Sequence, residues 1–88
     1  MAYEIVLAPG AATTLKGLST PVRTGVKEAI ERHLLHEPTT VSKSRIKRLR
    51  GLSQPQYRLR VDDIRVFYDV TETEVQVLAI VTKAEAQA

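Results

Sequence analysis

Arg58, Arg60 and Arg65 are the residues whose type and spacing point to chemistry. They lie within "YRLRVDDIRVFY", residues 57–68. A guanidinium stays charged at neutral pH and presents a planar fork of N–H donors that fits a phosphate or carboxylate bidentately. On both sides of Asp62-Asp63 apolar residues alternate with basic ones, the period of a half-buried strand. A two-residue loop at Asp62-Asp63 sets Val61 opposite Ile64, Arg60 opposite Arg65, Leu59 opposite Val66 and Tyr57 opposite Tyr68. A four-residue loop keeps the same register. Tyr57, Leu59, Val61, Ile64, Val66, Tyr68 and Val70 then share the core face, and Arg58, Arg60, Arg65 and Phe67 share the other. Like charges directly opposed cost roughly some tenths of a kcal/mol. The pairing of Arg60 with Arg65 is therefore read as a site for an anion. The alternative is that Asp69, diagonal to Arg58, and solvent relieve the repulsion.

The charge around this hairpin is one-sided. From Lys43 to Arg60 there are seven basic residues (Lys43, Arg45, Lys47, Arg48, Arg50, Arg58 and Arg60) and no acidic one, although the net charge of the chain is only +3. Such a block suits a polyanion or an acidic partner; the alternative is a solvated basic face. His33 and His36, three apart near the end of a helical stretch, are read as structural. A partly charged histidine is favourable at a helix C-terminus through the dipole alone. Tyr57 and Tyr68 are read as core packing. No metal site is expected, and no cofactor.

The elements that must position these residues follow from pattern. "AYEIVLA" alternates weakly and ends at Pro9-Gly10, which predicts a first strand with Tyr3, Ile5 and Leu7 on one face. "PGAATTLKGL" predicts a weak helix. "STP" predicts a second helix with Thr20 as N-cap and Pro21 at its first position. Val22, Val26, Ile30 and Leu34 recur every four residues along it, Ala29 and Leu35 widen the stripe, and the helix runs to about His36. "TTVSKS" is a polar loop, "RIKRL" a short strand closed by Gly51, and "LSQPQ" a turn. Residues 57–61, 64–70 and 75–81 are three further strands. With Glu72-Thr73 as the last turn, Ile80 pairs with Arg65 and Leu78 with Phe67, so the second face is part basic and part apolar. An apolar strip beside arginines suggests a surface covered by a partner.

Helices followed by a run of strands predict an α+β domain. The N-terminal strand and a helical hairpin pack on one face of a mostly antiparallel, curved sheet of four to five strands. Eighty-eight residues make one domain, 1–88, with a modest core. The absence of cysteine excludes a disulfide or thiolate framework. "MAYEIVLAPG" has neither the basic nor the long apolar segment of a signal peptide. No apolar run approaches the roughly 20 residues a membrane helix needs, so no membrane partner is expected. A cytoplasmic location fits.

The order of elements, together with "LRGL", "YRLRV", the tight turn, "IRVFYDV" and the final "VQVLAIVTK", resembles the RelE/ParE superfamily of bacterial toxins. The resemblance spans the chain and is most specific over residues 49–70, where it is nearest the RelE-like branch. It implies the toxin of a type II toxin–antitoxin system, an mRNA interferase that works on the 70S ribosome. Such a toxin cuts mRNA in the A site without a metal and is silenced by a small acidic antitoxin segment. It would meet operator DNA only through that antitoxin. ParE-like members instead inhibit DNA gyrase. By the RelE-like pattern, Arg58 and Arg60 fall at two basic catalytic positions, and Arg65 falls on the arginine that contacts the scissile phosphate. Arg50 matches a further basic position, and Lys83 a basic residue after the last strand. Lys43, Arg45, Lys47, Arg48 and Arg50 form the expected RNA-binding block. Phe67 serves either as a stacking platform for a base or as an antitoxin contact. Lys83 and Lys47 are the candidates for proton transfer, because arginine is a poor base. The late tyrosine usual in the family is absent from "KAEAQA", which leaves open a third reading, a weak toxin that only binds its antitoxin.

Overall fold

A computed structural model describes residues 2–51 and 53–82. The elements in chain order are β1 (Glu4–Leu7), α1 (Pro9–Gly17), α2 (Thr20–Leu34), β2 (Ile46–Arg48), β3 (Tyr57–Val61), β4 (Ile64–Val70) and β5 (Glu74–Thr82). The five strands form one sheet in the order β1-β5-β4-β3-β2. β1 pairs with β5 in parallel, and the other three pairings are antiparallel. The expected α+β architecture is therefore present, with five strands. No described helix is long and apolar enough to cross a membrane.

The core lies between the helices and one face of the sheet. Ala11 and Leu15 of α1 and Val26, Ile30 and Leu34 of α2 meet Ile46, Leu59, Val61, Ile64, Val66, Tyr68, Val75, Val77 and Ile80. Tyr3, Ile5 and Leu7 pack against this cluster from the edge, on the face their alternation predicts. Each large side chain fully buried here, such as Leu59 or Val66, contributes about 1.5–3 kcal/mol.

Two details of α2 differ from the sequence pattern. The helix begins at Thr20, so Ser19 is the N-cap and Pro21 sits one position inside; the cap side chain makes no hydrogen bond. Proline is still tolerated there, since the first-turn N–H groups have no helical partner. Val22 is 42% exposed, although it belongs to the four-residue recurrence. A period of four drifts about 40° per step around a helix of 3.6 residues per turn. Across Val22 to Leu34 the stripe rotates too far for one buried face, and Val22 is the end left outside.

The β3–β4 hairpin has the predicted register. Val61 pairs with Ile64, Arg60 with Arg65, Leu59 with Val66, Arg58 with Phe67 and Tyr57 with Tyr68. Asp62 takes φ +53 in the turn, a left-handed conformation that aspartate tolerates better than most residues.

The β4–β5 register departs from expectation. Val70–Val75, Asp69–Gln76 and Tyr68–Val77 pair as expected, but an irregularity between Phe67 and Tyr68 shifts the ladder by one. Ile80 therefore pairs with Val66, not Arg65, and Ala79, not Leu78, pairs with Phe67. The reason lies in the core. Val75 and Val77 point inward at odd positions, and the bulge flips the parity so that Ile80, at an even one, is buried as well.

Candidate functional site

The face of the sheet opposite the core is built in rows across the strands. In one row Lys47 of β2 lies opposite Arg58 of β3, which lies opposite Phe67 of β4 and, through it, Ala79 of β5. In the next row Arg60 lies opposite Arg65, and Arg65 opposite Val81. Four cations thus occupy adjacent positions on three strands. The bulge supplies their border, because it brings Ala79 and Val81 alongside in place of Leu78 and Ile80.

Arg58 is the most constrained of the four. Its Nε–H is buried and has no hydrogen-bond partner. Burial lowers its pKa from the ordinary value, and the Arg65 and then the Arg60 guanidinium lower it further. Arg58 thus lies within the field of both other arginines. Arg60 is exposed and reaches back along its own strand end, with Nε donating to the Asp62 carbonyl at 3.4 Å. Arg65 and Phe67 are half-buried.

Asp69 sits diagonal to Arg58 on the same face, but its hydrogen bonds go elsewhere. It is 8% exposed. One carboxylate oxygen accepts from Gln54 Nε2 at 2.7 Å, and the other from the Gln56 backbone N–H at 2.7 Å. The Gln56 side-chain oxygen in turn accepts from the Val70 N–H at 2.9 Å. Among the described residues no carboxylate is recorded in an ion pair with these arginines. Gln54 and Gln56 carry no pattern that marks them in the sequence; only the proline between them signals a turn.

The basic block divides between faces. Lys47 joins the arginine cluster. Arg48 turns to the core side, where its guanidinium lies 5.1 Å from the Tyr57 ring centre and Nη1 donates to the Gln56 carbonyl at 2.8 Å. Tyr57 in turn stacks on Tyr68, with ring centres 5.4 Å apart. The Tyr68 hydroxyl donates to the Pro38 carbonyl at 2.7 Å, and burial, with Tyr57 beside it, raises its pKa. Both tyrosines are core residues, as expected, and Arg48 covers their stack. Arg45 lies beside α2 with Arg32 and His33, in a cleft of about 440 Å³ that His36, Glu37 and Thr40 also line. Lys43 and Arg50 are exposed in the loops on either side of β2, and Lys83 lies outside the described residues.

His33 and His36 line the cleft with Arg45 on the α2 side of the sheet. The pKa of His33 is lowered, first by burial and then by Arg45 and Arg32. The neutral imidazole is thus favoured, and the charge–dipole benefit expected at a helix C-terminus is opposed. Among the described residues no group of three or more His, Cys, Asp or Glu side chains is arranged to hold a metal ion.

A helical hairpin on one face of a mixed five-stranded sheet is the architecture of the RelE-like class of fold. Among solved structures the chain is similar to one from the archaeal RelE–RelB complex of Pyrococcus horikoshii OT3. The two share 23% identity at a TM-score of 0.75, over 94% of this chain and 97% of that one. It is also similar to a chain of the RelB–RelE antitoxin–toxin complex of Methanococcus jannaschii (19% identity, TM-score 0.70, 93% and 94% covered). A third likeness is to the DinJ–YafQ toxin–antitoxin complex of E. coli (14% identity, TM-score 0.71, 96% of each chain). At these identities the likeness establishes the fold. No family model and no curated protein matches the sequence.

Proposed function

We propose that this protein is the toxin of a type II toxin–antitoxin pair, a ribosome-dependent endoribonuclease that cuts mRNA in the A site. The observation that carries this reading is the juxtaposition of Arg60 with Arg65, with Arg58 and Lys47 in the next row, on a RelE-like fold. Three neighbours of that fold come from RelE–RelB, RelB–RelE antitoxin–toxin and DinJ–YafQ toxin–antitoxin complexes, which supports an antitoxin as the partner.

In this reaction the 2′-oxygen attacks the adjacent phosphorus, and the bond to the 5′-oxygen of the next nucleotide breaks. One proton leaves the 2′-hydroxyl and another is delivered to the departing 5′-oxygen, so no outside reagent is consumed. Arg60 and Arg65 grip the scissile phosphate from two strands and stabilise the charge that builds in the transition state. Arg58 and Lys47 extend that field along the RNA backbone, and Phe67 stacks a base. The chain's main contribution is position and charge; the ribosome aligns the message and shares the proton transfers.

The test is primer extension on message from translating ribosomes mixed with the folded protein. Cuts within A-site codons are expected. Intact message overturns the reading, and gyrase–DNA cleavage complexes accumulating on expression would assign the chain to gyrase inhibition instead.

A further inference from the structure

We propose that the Gln54–Gln56 segment is a clasp that holds the Asp69 carboxylate away from Arg58, so that Arg58 stays open to an RNA phosphate. This rests on the reading of the arginine face given above.

Arg58 pairs with Phe67, so Asp69 is its diagonal neighbour on the same face. Diagonal positions are about 7–8 Å apart, within the span of an arginine side chain. A buried carboxylate beside a half-buried arginine whose Nε–H is buried without a partner has a cation within reach, and pairing would offset the water each has lost. Here the two stay apart. Gln54 Nε2 and the Gln56 N–H occupy the two Asp69 oxygens, each at 2.7 Å, while the Arg58 Nε–H makes no hydrogen bond. The clasp is itself anchored. Gln56 accepts from the Val70 N–H through its side chain, and from the Leu49 N–H and Arg48 Nη1 through its carbonyl.

The electrostatics agree with this separation. An acid in contact with Arg58 would raise its pKa, yet burial, Arg65 and Arg60 lower it. Two amide donors thus satisfy the acid without cancelling a cation.

The experiment compares wild type, Gln54→Ala, Asp69→Asn and the double variant Gln54→Ala/Asp69→Asn, each checked for cooperative unfolding. One measurement is binding of a fluorescently labelled single-stranded RNA nonamer; the other is the NMR signal of the Arg58 Nε–H. Gln54→Ala releases one carboxylate oxygen and is expected to weaken RNA binding about fivefold and to move the Nε–H signal. Adding Asp69→Asn removes the competing charge and is expected to restore both to wild-type values. If the double variant binds as weakly as Gln54→Ala, the segment is only structural and the proposal falls. An Nε–H signal unmoved by Gln54→Ala also overturns it. Where the wild-type chain binds no free RNA, the Nε–H signal decides the clasp by itself, and primer extension on ribosomes decides the RNA reading.

Discussion

Replacing both Arg60 and Arg65 with alanine separates a site built for an anion from one built for stability. The two side chains are directly opposed across β3 and β4. At the roughly 5–7 Å of directly opposed side chains, like charges repel by about 0.6–0.8 kcal/mol at the dielectric constant of water. The water value applies because Arg60 is exposed. Truncation removes this repulsion and also the packing of two aliphatic stems, so the net effect on stability is between zero and the full repulsion. In a domain of this size 1 kcal/mol moves the melting temperature by about 4–8 °C. The double variant should therefore melt at the wild-type temperature or up to about 6 °C above it. Any gain should fade as salt rises, because the screening length contracts from about 30 Å at 0.01 M to about 3 Å at 1 M. Cleavage on the ribosome should fall by at least about 10²-fold, the usual effect of losing even one transition-state donor. Scanning calorimetry at several salt concentrations, paired with primer extension, reads both quantities. A melting temperature lowered by several degrees with cleavage intact would refute the reasoning, since the arginines would then be structural.

Other perturbations follow from the same geometry. Tyr68→Phe strips the buried Pro38 carbonyl of its donor and should cost about 1–3 kcal/mol in urea unfolding. The pKa of Tyr68 is raised in the fold above its ordinary 10.0, so its contribution is complete below pH 10 and lost as pH rises beyond it. Alkaline melting curves should show that loss in wild type and less of it in Tyr68→Phe. His33 has its pKa lowered below 6.5, so the unfolded chain takes up the proton first and stability falls as pH drops below 6.5. His33→Asn should flatten that acid limb. At Gly51, φ is +76 with open space where a Cβ would stand, so Gly51→Ala should cost about 1 kcal/mol from backbone strain alone.

The hairpin was legible because two signals agreed. Strict alternation chose the faces and a tight acidic turn chose the register, so the opposed arginines could be read without coordinates. Where alternation stops, so does legibility. "VLAIV" in β5 is apolar at every position, and nothing in it reveals that the ladder slips by one to bury Ile80. Arg48 carries the same charge as Lys47, and it is the strand pairing, with Ile46 and Arg48 facing Leu59 and Tyr57, that places it on the opposite face. The hold on Asp69 joins residues thirteen and fifteen positions apart through a loop, and no periodicity encodes such a contact. Charge and alternation thus revealed which cations gather, but not what keeps the acid away from them.

The position of β5 between β1 and β4 has a consequence for how the protein is made. Ile5 of β1 finds its partner, Val75, seventy residues later. While the chain is being synthesised, the first strand and the β3–β4 hairpin have nothing to join them, and the helices have only part of a sheet to cover. Pairings so distant in sequence form slowly. The sheet is thus completed only after its last described strand has emerged from the machine that makes it. A growing chain carries all the arginines but not the surface that arranges them.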